Sequence, residues 1–308
     1  MTEMQERLLQ NLKAFNRFCD KNNLIYYAAY GTCLGAVRHH GFIPWDDDMD
    51  VYMLRADYER FLAIREKLRG TSYWIMEVRD GYYPHPFAKF YSTDASIWEQ
   101  RKFHTIIGPW IDVFPIDEWD ENEYNNRLYD DYISAFLKYR KAISYESWNE
   151  IWYNIVHYNV LNALVKVIKK CFFFPFKKLY LKSVLEEIDK VQKVHGEYYR
   201  HWGFLFGRGK IYQKDWFKGR CEFPFEDTYI MCPNGYEEML TLEYGDYMTF
   251  PPEEERKGAH PCFYIDLENK KSKKDILEEM KISGVDIYYE ENPISFKSII
   301  LGLIHKKW

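Results

Sequence analysis

Asp46, Asp47, Asp48 and Asp50 crowd into five positions of the stretch GTCLGAVRHHGFIPWDDDMDVYM, residues 31–53. Carboxylates this close repel one another at neutral pH, and a fold tolerates them best when a hard divalent cation with oxygen ligands neutralises the group. Chemistry on phosphate is therefore the first expectation. Gly31 and Thr32 fall between an expected strand and a run of small residues, where backbone N–H groups and a hydroxyl can hold a phosphate. Asp48-Met49-Asp50 then reads as a strand with Asp48 and Asp50 on one face; Asp47 is expected to turn the other way and Asp46 to shape the turn.

A third carboxylate, Asp112, lies between apolar residues in Ile111-Asp112-Val113. Acids on neighbouring strands make a one-metal or two-metal phosphoryl-transfer site, in which the metal bridges phosphate oxygens and one carboxylate takes a proton from the attacking hydroxyl. Asp48, Asp50 and Asp112 are the expected metal ligands and catalytic residues, with Mg2+ or Mn2+ as the ion. Asp112 is the candidate base, because a lone carboxylate in an apolar strand holds its proton more tightly; its alternative is an N-cap or turn residue before Phe114-Pro115. Arg38 and His39 sit between the glycine and the acids and can reach donor phosphates, or else belong to a solvated basic loop. Pro44-Trp45 is expected to fix the entry to the acid strand.

Several elements must position these groups. Leu8, Leu12, Phe15 and Cys19 recur at helical spacing and predict a helix over 3–20. A strand is expected over 24–30, another over 48–53, and Asp57 as N-cap of a helix carrying Tyr58, Phe61, Leu62 and Leu68. Further strands are expected over 73–78, 87–91, 96–98 and 110–114, and a helix over 236–244. This mixture predicts an α+β or α/β sheet domain. Residues 1–119 form the core with the metal and donor site, 120–200 a helical insertion or subdomain without strand signals, and 201–308 a C-terminal part that completes the site and ends in a basic-aromatic tail.

The chain of 308 residues can bury a full core, and its net charge of −5 argues against a nucleic-acid partner. Aromatic residues make up 19%, with 27 Tyr and 10 Trp, which suits half-wet surfaces for sugars, choline-like cations or membrane interfaces, or else a Tyr-rich core. Six cysteines without a CxxC pair point to free thiols in a reducing cytoplasm rather than to zinc or disulfides. The start, MTEMQERLLQNLKAF, lacks the basic end and apolar run of a signal peptide. In residues 151–182, Asn154, His157, Asn159, Asn162 and Lys166 interrupt the apolar run, so it is not a spanning helix. It either lies among headgroups, with Lys166, Lys169, Lys170, Lys177 and Lys178 on anionic lipid, or forms a buried helix pair with a basic edge. Residues 295–308, SFKSIILGLIHKKW, repeat that theme.

The run GTCLGAVRHHGFIPWDDDMDV, followed by WIDVFPID (110–117) and NGYEEMLTLEYGDYMTFPPEEERKGAH (234–260), resembles the LicD/fukutin family in three motifs in order. The resemblance implies a nucleotidyltransferase-like fold, a mixed sheet flanked by helices with a helical insertion. It also implies a metal and a nucleotide-linked donor held by Gly31, Thr32, Arg38, Asp48, Asp50 and Asp112. Tyr244, Gly245, Asp246, Arg256 and His260 fall on the closing motif, with Arg256, His260 and Lys89 expected on the donor side. Bacterial relatives transfer phosphocholine from CDP-choline to teichoic acid, lipooligosaccharide or capsule sugars. The same is expected here: magnesium-assisted attack of a sugar hydroxyl on phosphorus, with release of CMP to leave a decorated, lipid-linked glycan. Aromatic faces must hold the quaternary ammonium, with Trp45, Trp98 and Trp110 as candidates. The rivals are transfer of glycerol phosphate or ribitol phosphate from another CDP-alcohol, a nucleotidyltransferase releasing pyrophosphate, and a non-catalytic glycan-binding protein. Without clustered cysteines, the zinc insertion of the animal fukutin-related branch is not expected. A cytoplasmic protein, peripheral at the inner face of the membrane through 151–182 and 295–308, completes the expectation.

Overall fold

The computed structural model describes residues 1–144, 151, 155–156, 160–201, 209–258 and 260–284, and leaves out the side chains of 161, 162, 169 and 170. The C-terminal segment 295–308 thus lies outside the described residues, as does most of 145–159.

Helix α1 (Glu3–Lys21) runs almost as its periodicity predicts, with Leu8, Leu12, Phe15 and Cys19 all buried. A capping box opens it: the Gln5 backbone N–H donates to Thr2 Oγ1, and the Thr2 N–H donates to the Gln5 side chain. The helix lies against a central sheet of seven strands, which comprises β1 (Tyr27–Ala28), β2 (Asp50–Leu54), β3 (Tyr73–Met76), β4 (Ala88–Ser92), β7 (Trp110–Trp119), β8 (Tyr198–His201) and β9 (Ile211–Gln213). Along the main path the order is β1-β2-β7-β4-β3, with β2 and β7 parallel and every other pair antiparallel. The mixed sheet with flanking helices is an α+β architecture.

Strand β7 organises the sheet because its ten residues serve three neighbours. Its first half pairs with β4, its second half with β8, and β2 lies along the opposite edge. Ile111, Val113, Phe114 and Ile116 are buried, as a strand covered on both faces requires.

Three local expectations change. The strand expected over 24–30 shrinks to Tyr27–Ala28, because Tyr30 takes a left-handed φ of 44° and opens helix α2 (Tyr30–His39). The acid strand begins at Asp50, so Asp46, Asp47 and Asp48 lie in the irregular segment before it. Helix α3 (Arg55–Ala63) starts two residues before Asp57, which stands in the first turn and pairs with Arg60 at 2.7 Å instead of capping.

The helical region is threaded between two adjacent strands, β7 and β8. Its helices α4 (Glu123–Ile143) and α6 (Lys177–Val191) enclose a second core of Leu128, Tyr132, Phe136, Val184 and Ile188 that also takes in Trp119 of β7, while α5 (Val160–Phe172) precedes α6. Residues 198–200, expected among the helices, belong to β8 and return the chain to the sheet. Beyond it, the hairpin β10–β11 (Arg220–Phe225, Thr228–Pro233) and helix α7 (Tyr236–Tyr244), the latter as expected, pack on the main core through Phe225, Ile230, Met239 and Leu240. Strand β12 (Tyr264–Asp266) joins β5 (Ser96–Trp98) and β6 (Ile106–Ile107) in a small sheet, and α8 (Lys273–Ile282) follows.

Candidate active site

Backbone register sets Asp50, Asp112 and Lys89 side by side across β2, β7 and β4. Residues opposite one another in a sheet share a face, so the three side chains meet. Lys89 is 2% exposed; its Nζ lies 2.9 Å from Asp112 Oδ1, 3.6 Å from Glu99 Oε2 and 3.8 Å from the centre of the Trp110 ring. Trp110 Nε1 donates to Asp112 Oδ2 at 3.2 Å. Asp112 is therefore mid-strand and partnered, which corrects both the lone carboxylate and the N-cap reading. Burial raises its pKa and Lys89 pulls the other way, with burial prevailing. Glu99, half-buried, is held below the usual carboxylate range by Lys89 and His85.

Around these residues the acid segment is tied down from several sides. Gln5 of α1 donates to the carbonyls of Ile43 and Asp46 at 3.2 and 3.0 Å. The Asp50 N–H donates to Thr32 Oγ1 at 2.8 Å, so the Thr32 hydroxyl is tied to the backbone of the acid strand. Gly31 lies in the first turn of α2, not in a loop, and the Asp46 carboxylate comes so close that a Cβ on Gly31 would stand 2.7 Å from Asp46 Oδ2. Burial and then the neighbouring Asp48 push the Asp46 carboxyl up to about 8. Asp50 is raised too, by burial and then by Asp48, Asp112 and Asp46.

His260 arrives from the far end of the chain. Its Nδ1 is 3.0 Å from Asp47 Oδ1 and its Nε2 is 3.4 Å from Asp48 Oδ2. Burial works to lower the imidazole pKa, but Asp48 and Asp47 together outweigh it, and the net shift is upward. Asp47 thus turns towards the site with Asp48 rather than away from it. Strand alternation fails here because the strand has not yet begun.

The segment separates two cavities. The larger, about 600 Å3, is lined by Gly31, Arg38, Trp45, Asp46, Tyr244 and Phe250 among others. Arg38 Nη1 donates to the Tyr247 carbonyl at 2.8 Å, Arg38 Nε donates to His39 Nε2 at 3.1 Å, and the guanidinium stands 4.7 Å from the Phe250 ring centre. Arg256 lies 5.5 Å from the ring centres of both Trp45 and Phe250. Arg38, His39 and Arg256 thereby converge; Tyr247 and Phe250, which bring them together, lie within the closing motif 234–260 but were not singled out there as site residues. Burial, and then Arg38, lower the His39 pKa. The smaller cavity, about 180 Å3, is lined by Asp47, Asp48, Trp110, His260, Met4 and Cys262 among others. Trp98, also named for a choline cage, is sealed in a separate cluster with Ile276 and Met280 and lines neither cavity.

Residues 23–148, which carry Gly31, the aspartates and Asp112, match the family described as LicD/FKTN/FKRP, nucleotidyltransferase domain. They form a LicD-family domain. Over 278 residues the chain is 28% identical to the lipopolysaccharide cholinephosphotransferase LicD of Haemophilus influenzae, covering 84% of this chain and 96% of that protein. It is also 40% identical over 131 residues to an uncharacterized protein of Rickettsia typhi, or 42% of this chain and 35% of that one. An uncharacterized Rickettsia prowazekii protein is 46% identical over 68 residues, 22% of this chain and 26% of its own length.

Within the matched segment the acids of WIDVFPID divide their roles. Asp112 faces the site, whereas Asp117 receives a two-pronged bond from Arg55, with Nε and Nη2 donating at 2.8 and 2.7 Å. The residues present fit a divalent cation. Oxygens and an imidazole nitrogen of Asp47, Asp48 and His260 lie within 4.8 Å of one another, and buried Asp112 Oδ1, though in ion-pair contact with Lys89, has no donor aligned on it. Carboxylate oxygens are the ligands a hard cation prefers.

Proposed function

We propose that the protein is a metal-dependent phosphotransferase that moves phosphocholine from CDP-choline to a sugar hydroxyl of a lipid-linked surface glycan and releases CMP. One observation carries the reading: the aspartate segment, Asp112 and the closing motif, distant in sequence, meet at one site between two cavities. The name of the Haemophilus relative supplies the cargo, choline phosphate, and the acceptor, lipopolysaccharide. Teichoic acid and capsule sugars are acceptors of the same chemical kind.

In this reading Asp48, Asp50 and Asp112 hold Mg2+ or Mn2+, which when bound offsets charge developing on the phosphate oxygens. Arg38 lines the larger cavity with Trp45 and Phe250, and Arg256 stands against the same two rings; guanidinium groups can bind the donor's phosphates and aromatic faces its base. Gly31, in the first turn of α2, lines the same cavity. Asp112 receives the proton of the attacking hydroxyl; burial raises its proton affinity, while Lys89 keeps the ionised form available. His260 orients Asp47 and Asp48. Six free cysteines support a reducing, cytoplasmic setting, and among the described residues no helix is long and apolar enough to cross a membrane.

The test is to incubate the purified protein with magnesium, a sugar acceptor and in turn CDP-choline, CDP-glycerol and CDP-ribitol, measuring CMP and pyrophosphate. CMP release that needs the acceptor and is fastest with CDP-choline is the expected outcome. Acceptor-independent or absent CMP with every donor would sink the reading.

A further inference from the structure

We propose that the corner between α5 and α6 is a docking surface for an anionic lipid bilayer. On α5, Val160, Leu164, Ile168 and Phe172 follow one another at intervals of four, which puts them on one face of a helix. All four are 45–68% exposed, whereas Lys166 of the same helix is only 5% exposed. A helix of a soluble globular domain turns its apolar stripe to the core and its charges to water. Here four apolar side chains stand in water while Lys166, expected on the lipid side, is buried.

The pattern continues round the corner. The turn Phe174–Phe176 and the start of α6 expose Phe174, Phe176 and Leu179, so exposed apolar side chains run on from α5 through the connection into α6. Patches of this kind on a protein surface mark an interaction site. The occupant follows from the rim: Lys178 and Lys182 are exposed and Lys177 half-exposed beside the phenylalanines. Apolar side chains bordered by lysine match a surface with acyl chains beneath and phosphate at the headgroup level, where long lysine stems let the charge reach outward. Lysines near an anionic leaflet each contribute about fivefold to partitioning at moderate ionic strength. Such docking would hold the candidate active site next to lipid-linked acceptors, yet it requires no nucleotide or metal and stands or falls separately from the transferase reading.

Sedimentation of the full chain with vesicles tests it. Binding is expected to vesicles of equal parts phosphatidylglycerol and phosphatidylcholine, and much more weakly to phosphatidylcholine alone. Lys177→Ala with Lys178→Ala should lower partitioning to the anionic vesicles by roughly twentyfold, in keeping with the contribution per lysine. Phe172→Ser, Phe174→Ser and Phe176→Ser together should lower it by at least about tenfold while circular dichroism and melting temperature stay close to wild type. If the triple variant does not fold, the lysine pair alone decides. No binding to either vesicle, or binding indifferent to the substitutions, would overturn the proposal. So would light scattering that shows a wild-type dimer made monomeric by the phenylalanine substitutions, which would assign the patch to contact between copies.

Discussion

Asp50 and Asp112 are register partners in the parallel pair β2–β7, and Lys89 flanks Asp112 on the side away from Asp50. Two neighbouring acids are thereby made unequal. One has a buried ammonium against it; the other is bounded by further carboxylates.

Substituting each should separate these circumstances. Asp50→Asn relieves like-charge crowding, so the protein should melt at the same or a higher temperature while CMP release falls at least about a hundredfold. Asp112→Asn leaves buried Lys89 with Glu99, at 3.6 Å, as its one carboxylate partner among the described residues, beside the Trp110 ring. Its stability should drop by about 3 kcal/mol in urea unfolding, the lower end for a broken buried pair. Equal stability changes in the two variants would contradict the placement of Lys89.

Metal binding can be followed without turnover. Mg2+ at a hundredfold excess over its dissociation constant should add about 2.7 kcal/mol to stability, visible as a rise in melting temperature that a chelator reverses. Asp48→Asn should blunt the rise. An unchanged shift in that variant would remove Asp48 from the ligand set.

Gly31→Ala probes the approach of Asp46 to the start of α2. The added Cβ would meet Asp46 Oδ2 at 2.7 Å, and the carboxylate would have to swing aside. Because a side chain gives way more easily than backbone, stability should change by no more than about 1 kcal/mol, whereas CMP release should fall by at least tenfold. Loss of stability without loss of turnover would show that the contact is only packing.

Arg38→Ala should act on donor affinity. The expected result is a KM for the CDP donor raised roughly tenfold to a hundredfold with a smaller change in kcat, since a phosphate contact kept throughout the reaction contributes uniform binding. A collapse of kcat at unchanged KM would move Arg38 into the reacting centre.

Glu243 offers a pH test away from the acids. Tyr212, itself bonded to Tyr52, donates to Glu243 Oε1, and burial pushes the carboxyl from its usual 4.5 up to about 7. The folded chain therefore binds this proton more tightly than the unfolded chain does. The stabilisation is complete below about 4.5 and fades as pH rises through 7. Glu243→Gln should melt like wild type at pH 4.5 and be more stable at pH 8 by on the order of 1–3 kcal/mol. The opposite order at pH 8 would refute it.

Much of the frame was legible where one physical demand dominated. Leu8, Leu12, Phe15 and Cys19 announce α1 because burial enforces the helical period, and the apolar run around Asp112 announces a strand covered on both faces. Local spacing failed where distant residues decide. Tyr30 gives no sign of its positive φ, since a bulky residue enters that region only when its surroundings impose it. The orientation of Asp47 depends on His260, and that of Arg38 on Tyr247 and Phe250, none of which is near in sequence. Helical periodicity was visible across 120–200, but β8 is short and half-exposed, and its pairing with β7 fixes it more than its own pattern does.

Asp47 and His260 are 213 residues apart, so their contact forms only after the C-terminal elements have docked on the sheet. Long-range contacts of this kind close late, because the entropy of a large loop must be lost before they can reward it. During folding the aspartates must therefore pass through a period in which no imidazole stands beside them. Closure of the candidate site thus waits on the C-terminal elements, and the Asp47–His260 contact reports that they have docked.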